Sequence, residues 1–290
     1  MIPAVRHLLA IDGGGTACRG ALVDLVSGRR VDAVGGAANI TDFEAALARI
    51  SALIADLFAQ AGPAAAPAAT AAHVGLAGVI DPAGADAVAA GLPFGRLCVT
   101  SDQPTMIVGA LGGQDGAVAA IGTGSFVGVQ SGGAVRIIGG WGLAIGDQAS
   151  GAWLGRELLV HALLAGDGIE PPSPLAERML AAMGGGAGVT GFSLTARPAD
   201  YGRLAPDIVA AAEAGDALAV RLMQDGAAYI AAALAAGGWR AGQRLCLTGG
   251  LGPAYARWLP PAITAGLAAA EGTALDGALI LARRLAEDAP

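Results

Sequence analysis

The chain has 290 residues, 54% of them apolar, with a mean hydropathy of +0.58 and a formal net charge of −7. That length can bury a substantial core in one large domain or two moderate ones. The acidic balance, with no basic cluster beyond paired arginines, argues against a nucleic-acid partner. Asp, Arg, Gly or Pro interrupts every long apolar run, which argues against a membrane span. All 17 basic residues are arginine, so no lysine-dependent chemistry is available, neither a P-loop lysine nor a Schiff base. Cys18, Cys98 and Cys246 lie far apart without a CxxC pair and read as small buried apolar residues, not as a disulfide framework or metal site. The N-terminal apolar run is short and ends at Asp12, the pattern of a core strand and not of a secretory signal, so a cytoplasmic protein is expected.

In chain order, His7–Ile11 reads as a buried strand, "RGALVDL" as a second, and "RRVDAVG" as a third after a Ser27-Gly28 turn. A helix follows from Thr41 to Gly62. Thr41 and Glu44 suggest a capping box, and Phe43, Leu47, Ile50, Ile54, Leu57 and Phe58 share one face. The Pro/Ala stretch Gly62–Thr70 reads as a surface loop, "HVGLAG" and "RLCVTSD" as strands, and Gln103–Leu111 as a short helix. The pattern then recurs: "GAVAAIGTGSFVGVQSGGAVRIIGG" is again three strands, with a glycine turn first and a Ser-Gly turn second. A supersecondary unit used twice implies two α/β domains meeting near Gly112–Gln114. Helices are expected at Gln148–Leu164, Pro174–Met183, about Pro206–Ala214, Asp216–Ala236 and Leu275–Ala286, with a late strand in "QRLCLTGGLG". The last helix is expected to return to the first domain.

The glycines carry the chemical question. "LAIDGGGTACRG" spends three consecutive glycines, Gly13, Gly14 and Gly15, at a strand end, where glycine weakens the strand. Consecutive glycines let backbone N–H groups converge on an anion, phosphate above all, and Thr16 adds a hydroxyl. Asp12 beside them would repel phosphate unless a divalent cation such as Mg²⁺ lay between. Gly122, Thr123 and Gly124 form a second such turn, so that two turns could grip one nucleotide. Gly249 and Gly250 form a third cluster, placed to approach a nucleoside. A Walker A loop is excluded by the missing lysine, and GxGxxG fails because Cys18 stands where its last glycine would be.

Taken in order, "IDGGGT", "AIGTGS", "GGWGLAIGDQASGAWLG" and "LTGG" resemble the sugar-kinase, heat-shock ATPase and actin superfamily. Within it the chain is similar to the BadF/BadG/BcrA/BcrD-type ATPase family, in particular its N-acetylglucosamine kinase and bacterial glucosamine kinase members. "ADYGRLAPDIVAAAEAGDALA" looks more like the bacterial glucosamine kinase branch. The resemblance spans nearly the whole chain. It implies an α/β fold of two ribonuclease H-like, actin-like ATPase domains flanking a nucleotide- and sugar-binding cleft. The first would be residues 1–112 plus the C-terminal helix 275–290, the second 113–274. It implies ATP-dependent phosphorylation of glucosamine or N-acetylglucosamine at the 6-hydroxyl, with Mg²⁺ held by Asp12 through water.

By the same resemblance Asp102, in "CVTSDQP", is the base that receives the sugar proton, against an alternative reading as a helix cap. Asn39, against an alternative reading as a cap for the helix that follows, lines the sugar with Ala77, Gly78 and Gly124, and Asp147 stands at the sugar or metal side; Gly13–Thr16 and Gly122–Gly124 take phosphates, and Gly249–Gly250 approach the nucleoside. Three residues depart from the family pattern. Gln148 and Ala149 stand in a motif that is usually Gly-Asp-Glu-Gly-Ser, and Phe126 replaces a sugar-contacting asparagine of the animal enzyme. Loss of that polar contact makes free glucosamine a serious candidate. Trp141 could stack on sugar and Arg19 could bridge to phosphate. The other tryptophans and His7, His73 and His161 read as structural. Competing readings are the ATPase activator of an acyl-CoA dehydratase, whose paired iron–sulfur cysteines are not matched, and a non-catalytic nucleotide- or sugar-binding regulator. A ROK-type repressor would need a cysteine cluster and a DNA-binding helix pair that the sequence lacks. Relatives of this kind suggest a homodimer built on the Ala-rich helices.

Overall fold

A computed structural model, describing residues 4–15 and 17–288, gives a mixed α/β chain gathered into two compact units. Unit 1 takes in the described residues of 1–115, 130–135 and 270–290, and unit 2 takes in 116–129 and 136–269. Thr16 lies outside the described residues.

Unit 1 begins with β1 (His7–Gly13), β2 (Ala17–Asp24), β3 (Arg30–Gly36), α1 (Phe43–Ala61), β4 (Thr70–Leu76), α2 (Pro82–Ala90), β5 (Arg96–Ser101) and α3 (Asp102–Ala110). The sheet order is β3-β2-β1-β4-β5. β1–β3 form an antiparallel meander, while β4 runs parallel to β1 and β5 parallel to β4. Every residue of β4 is buried, as expected for a central parallel strand covered on both faces. Successive side chains of β1 alternate between those faces. Leu9 and Ile11 join Ile50, Leu53, Ile54 and Leu57 of α1, whereas Leu8 and Ala10 face the opposite way.

Two local expectations are corrected. The cap of α1 is Asp42, whose carboxylate accepts from the Ala45 N–H, and not a Thr41/Glu44 box. Asn39 instead caps a one-turn helix at Ile40–Asp42 through the Thr41 N–H, which shifts the start of α1 by one residue. Leu53, not Phe43, completes the buried face of α1, because Phe43 lies in its first turn and is 36% exposed. The stretch expected to be a loop contains a short 3₁₀ turn at Pro67–Ala69, and β4 already starts at Thr70. α2 was not anticipated, although "DPAG" carries its signal: Asp81 caps the Gly84 N–H and Pro82 occupies the first turn.

Unit 2 holds β6 (Gly116–Ile121), β7 (Ser125–Ser131), β8 (Ala134–Gly139), α4 (Gly151–Gly166), α5 (Pro174–Met183), α6 (Gly185–Ser193), α7 (Pro198–Gly202), α8 (Ala205–Glu213), α9 (Ala217–Gly237), β9 (Leu245–Thr248) and α10 (Pro261–Thr264), with the far end of the β7–β8 hairpin counted in unit 1. Its sheet order is β8-β7-β6-β9, with β6 parallel to β9. That is the order of the first four strands of unit 1, so the repeat read in the sequence is a repeat of topology. Ile121, Val127, Leu154, Leu158, Ile208, Leu222, Ile230 and Tyr255 belong to one buried core.

The last element, α11 (Ala274–Glu287), returns to unit 1, where Leu275, Ala278 and Ala282 cover Leu8, Ala10, Ala21 and Ala71. It crosses α3 at bare backbone. A Cβ on Gly277 would overlap the Thr105 and Gly109 backbone, and a Cβ on Gly109 would overlap the Thr273 carbonyl. Among the described residues, no helix is long and apolar enough to cross a membrane.

Candidate active site

The expected site residues of unit 1 gather at the C-terminal ends of β1, β4 and β5, where open α/β sheets characteristically bind ligands. Asp12 is the penultimate residue of β1 and Asp102 the first residue after β5. Asp12 feels the charge of Asp102. Asp12 is raised above the ordinary aspartate value by burial, lowered in part by Arg19, and raised further by Asp102. Burial raises Asp102 too, and its own backbone N–H opposes that shift. Arg19 Nη1 lies 3.8 Å from Asp12 Oδ2, so the arginine forms an ion pair.

Asp102 does not serve as a helix cap. Ser101 holds that position, with no side-chain cap bond, and the Thr105 hydroxyl donates 2.7 Å to the Asp102 carbonyl. A buried chain fixes the approach to this turn. The Thr100 hydroxyl donates 2.7 Å to the Ser101 carbonyl. Its one proton is thereby engaged, so His73 Nε2, 3.2 Å away, must be the donor to Thr100. Burial lowers His73 to about 4, so the imidazole is neutral at ordinary pH.

Asn39 pairs with Ala77 as a single parallel bridge beyond β4, and its Oδ1 accepts from both the N–H and the hydroxyl of Thr41, each at 3.0 Å. Gly78 has φ +91, and a Cβ there would lie 2.5 Å from Asn39 Oδ1. Glycine is required by backbone and neighbour alike.

In unit 2, Gly122–Gly124 follow β6 and Gly249–Gly250 follow the parallel β9, the same strand-end geometry. Asp147 is buried at 8% exposure with φ +57, and its Oδ1 accepts from the Gly142 N–H at 3.1 Å. A Cβ on Gly124 would stand 2.9 Å from Asp147 Oδ2, so the turn must be bare to admit the carboxylate. The segment after Asp147 is held by its carbonyls: Ser125 donates to Gln148 and Tyr255 to Ala149. Ala149 takes φ +68, a left-handed position that favours glycine, so its departure from the family pattern is a strained one. Phe126 is buried in β7.

A cavity of about 690 Å³ opens beside these turns, within the usual range for small-molecule sites. Gly122, Thr123 and Gly151 lie at one side, the α8 face Ala205, Pro206, Val209, Ala210 and Glu213 forms a wall, and Gly250, Leu251 and Ala254 complete it. Only Gly122, Thr123 and Gly250 of this lining were expected. Apart from Glu213, the α8 residues carry small apolar side chains at helical spacing, a pattern shared with ordinary core helices. Nothing in those four could have marked the wall.

The glycines of the three turns separate into two kinds. Gly13 would drive a Cβ into Leu76, and Gly249, at φ +78, would drive one into the Ile121 carbonyl. Gly14 closes the turn by donating to the Ala17 carbonyl. At Gly15, Gly122 and Gly250 a Cβ would meet no atom within 4 Å, so nothing inside the fold accounts for glycine there. Gly249→Ala is therefore expected to lower stability by about 2 kcal/mol or more. Gly122→Ala and Gly250→Ala should stay within about 0.5 kcal/mol of the parent, while weakening whatever binds the cavity. Thermal unfolding with and without nucleotide measures both.

Of the other expectations, Trp141 is 74% exposed, Trp239 is buried with its indole N–H on the Arg244 carbonyl, and Trp258 lies under Arg257. Cys18 and Cys246 are buried, and burial pushes the Cys18 thiol up to about 12.

The sequence pattern described as the BadF/BadG/BcrA/BcrD ATPase family matches residues 9–258. A glucosamine kinase, GspK, of Vibrio cholerae is 33% identical over 289 residues, covering 96% of each chain. A solved structure from Chromobacterium violaceum, provisionally named an N-acetylglucosamine kinase, is 35% identical with a TM-score of 0.76, over 97% of this chain and 100% of that one. A similarly named structure from Porphyromonas gingivalis, 20% identical with a TM-score of 0.60 over 97% and 99% of the two chains, shares the fold.

Proposed function

The chain belongs to the BadF/BadG/BcrA/BcrD ATPase family, and we propose on that footing that it is an ATP-dependent sugar kinase transferring a phosphoryl group to the 6-hydroxyl of glucosamine or N-acetylglucosamine. The observation that carries the chemistry is Asp102: a partly buried carboxylate at a strand end, not engaged in capping, and raised in pKa. A carboxylate so raised is a stronger base.

In this reading the sugar is held in unit 1 by Asn39 and the Ala77–Gly78 turn, and Asp102 takes the 6-hydroxyl proton as that oxygen attacks the terminal phosphorus of ATP. The nucleoside occupies the cavity of unit 2 beside α8, with its phosphates toward Gly122–Gly124. Asp12, raised by burial and by the charge of Asp102, also fits a divalent cation, which would relieve that repulsion. Mg²⁺, when bound near Asp12 through water, would neutralise charge on the phosphate oxygens.

The test is ADP release with Mg-ATP and glucosamine, N-acetylglucosamine, glucose or buffer alone. Turnover with an amino sugar is expected. Phe126, an apolar ring where the animal enzyme has a sugar-contacting asparagine, predicts a preference for glucosamine over N-acetylglucosamine in kcat/KM of roughly tenfold. ATP hydrolysis indifferent to every sugar would overturn the proposal.

A further inference from the structure

The cavity of unit 2 is lined by apolar and small groups, with two polar side chains among them, Thr123 and Glu213. They lie toward opposite ends of α8. A Cβ on Gly151 would meet the Gly122 carbonyl at 3.3 Å and the Ala205 Cβ at 3.4 Å, which fixes the N-terminal end of α8 beside the Gly122–Thr123 turn. Glu213 closes the helix eight residues later, about 12 Å along its axis at 1.5 Å per residue. Between them stand Pro206, Val209 and Ala210, flat apolar surface facing Leu251 and Ala254 across the cavity. A nucleotide with its phosphates at Thr123 would lay its base on that surface and point the far edge of the base at Glu213. This step rests on the nucleotide assignment of the preceding subsection.

Glu213 is also held in place. Arg257 Nη1 lies 3.2 Å from Glu213 Oε1, and the guanidinium rests 5.4 Å from the centroid of the Trp258 ring. Arg257 does not line the cavity; Glu213 does. The anchored carboxylate therefore offers the base acceptors and no donor.

We infer that Glu213 is the base-selecting residue of this site, accepting a hydrogen bond from the exocyclic amine of adenine and disfavouring purines that carry an oxygen at that position. At that position a 6-oxopurine sets a carbonyl oxygen against the carboxylate, two acceptors facing each other, and its neighbouring ring N–H is the one donor left on that edge. Selection among phosphate donors is thereby assigned to one side chain at the end of α8, remote from the phosphate turns.

The experiment measures dissociation constants for ADP and IDP by calorimetry, with the whole protein and no sugar present. The two ligands differ only in the amine-for-oxygen exchange and the ring proton that accompanies it. The parent protein is expected to prefer ADP by roughly 10-fold. Glu213→Ala should bring the two within about twofold of each other, chiefly by weakening ADP. Glu213→Gln, whose amide both donates and accepts, should tighten IDP relative to Glu213→Ala, a gain that mere loss of packing would not give. Equal ADP and IDP binding in the parent, or a ratio unmoved by either variant, overturns the inference while leaving the kinase assignment intact. Failure of both nucleotides to bind overturns the two together. Glu213-dependent ADP preference without phosphorylation of any sugar would sink the substrate assignment alone.

Discussion

Asp102→Asn is expected to lower kcat for sugar phosphorylation by about 10²–10⁴-fold while leaving nucleotide affinity and thermal stability close to the parent's. The size follows from what the side chain would do. The amide keeps its shape but cannot accept the proton of the attacking hydroxyl. The small stability change follows from the local bonding, since the turn is held by Ser101, Thr100 and Thr105 through backbone carbonyls and not by the Asp102 carboxylate. A pH profile adds an independent check. Burial raises Asp102, and the charged form is the base, so activity should be present above the raised value and fall as pH drops through it. The acid limb of kcat/KM should therefore sit above the 3.8 of an unperturbed aspartate. Asp102→Asn should erase that limb. A variant with near-parent turnover would mean that another group receives the proton.

Gly277→Ala should be among the most damaging single-methyl changes in unit 1. Two effects oppose each other. Alanine is favoured over glycine inside a helix by up to about 1 kcal/mol. Against this, the new methyl would occupy the space of the Thr105 carbonyl and the Gly109 N–H. Overpacking costs about 1–3 kcal/mol even when side chains can yield, and backbone yields less. The net loss should be about 2 kcal/mol or more, lowering Tm by roughly 2–4 °C per kcal/mol. Gly191→Ala in α6 is the control, because no atom lies within 4 Å of its added Cβ. It should gain stability by propensity alone. Since α3 begins with Asp102, Gly277→Ala should also reduce turnover at temperatures where the protein remains folded. Parent-like Tm and turnover would show that α11 can lift away without consequence.

The readable parts of the sequence were those where local physics decides the outcome. Strand–glycine–strand punctuation gave β1, β6 and β9 and the three turns, because a chain that must reverse at a strand end has few residues that allow it. Pro174 at the first turn of α5 and Gly184 after its last located that helix to the residue. The hidden parts depend on partners distant in sequence. Glycine at 277 looks like a weak point in a helix and is instead a contact with Thr105. Glu213 reads as a solvated charge at a helix end until α8 is seen to wall a cavity. Asn39 shows the capping half of its expectation, its oxygen holding the Ile40–Asp42 turn, while its backbone joins Ala77. The sugar role remains part of the proposal.

The return of α11 to unit 1 also dictates an order of synthesis. β1 and β4 emerge early from the ribosome, with Leu8, Ala10 and Ala71 on the face that α11 buries. All of unit 2 must be translated before Leu275, Ala278 and Ala282 exist to cover it. At about 5–20 residues per second that delay is on the order of ten seconds. The last core residue of unit 2, Ile263, is itself made before Leu275. The earlier-made half of the chain thus becomes native last, and its bare sheet face is where a nascent-chain chaperone would bind.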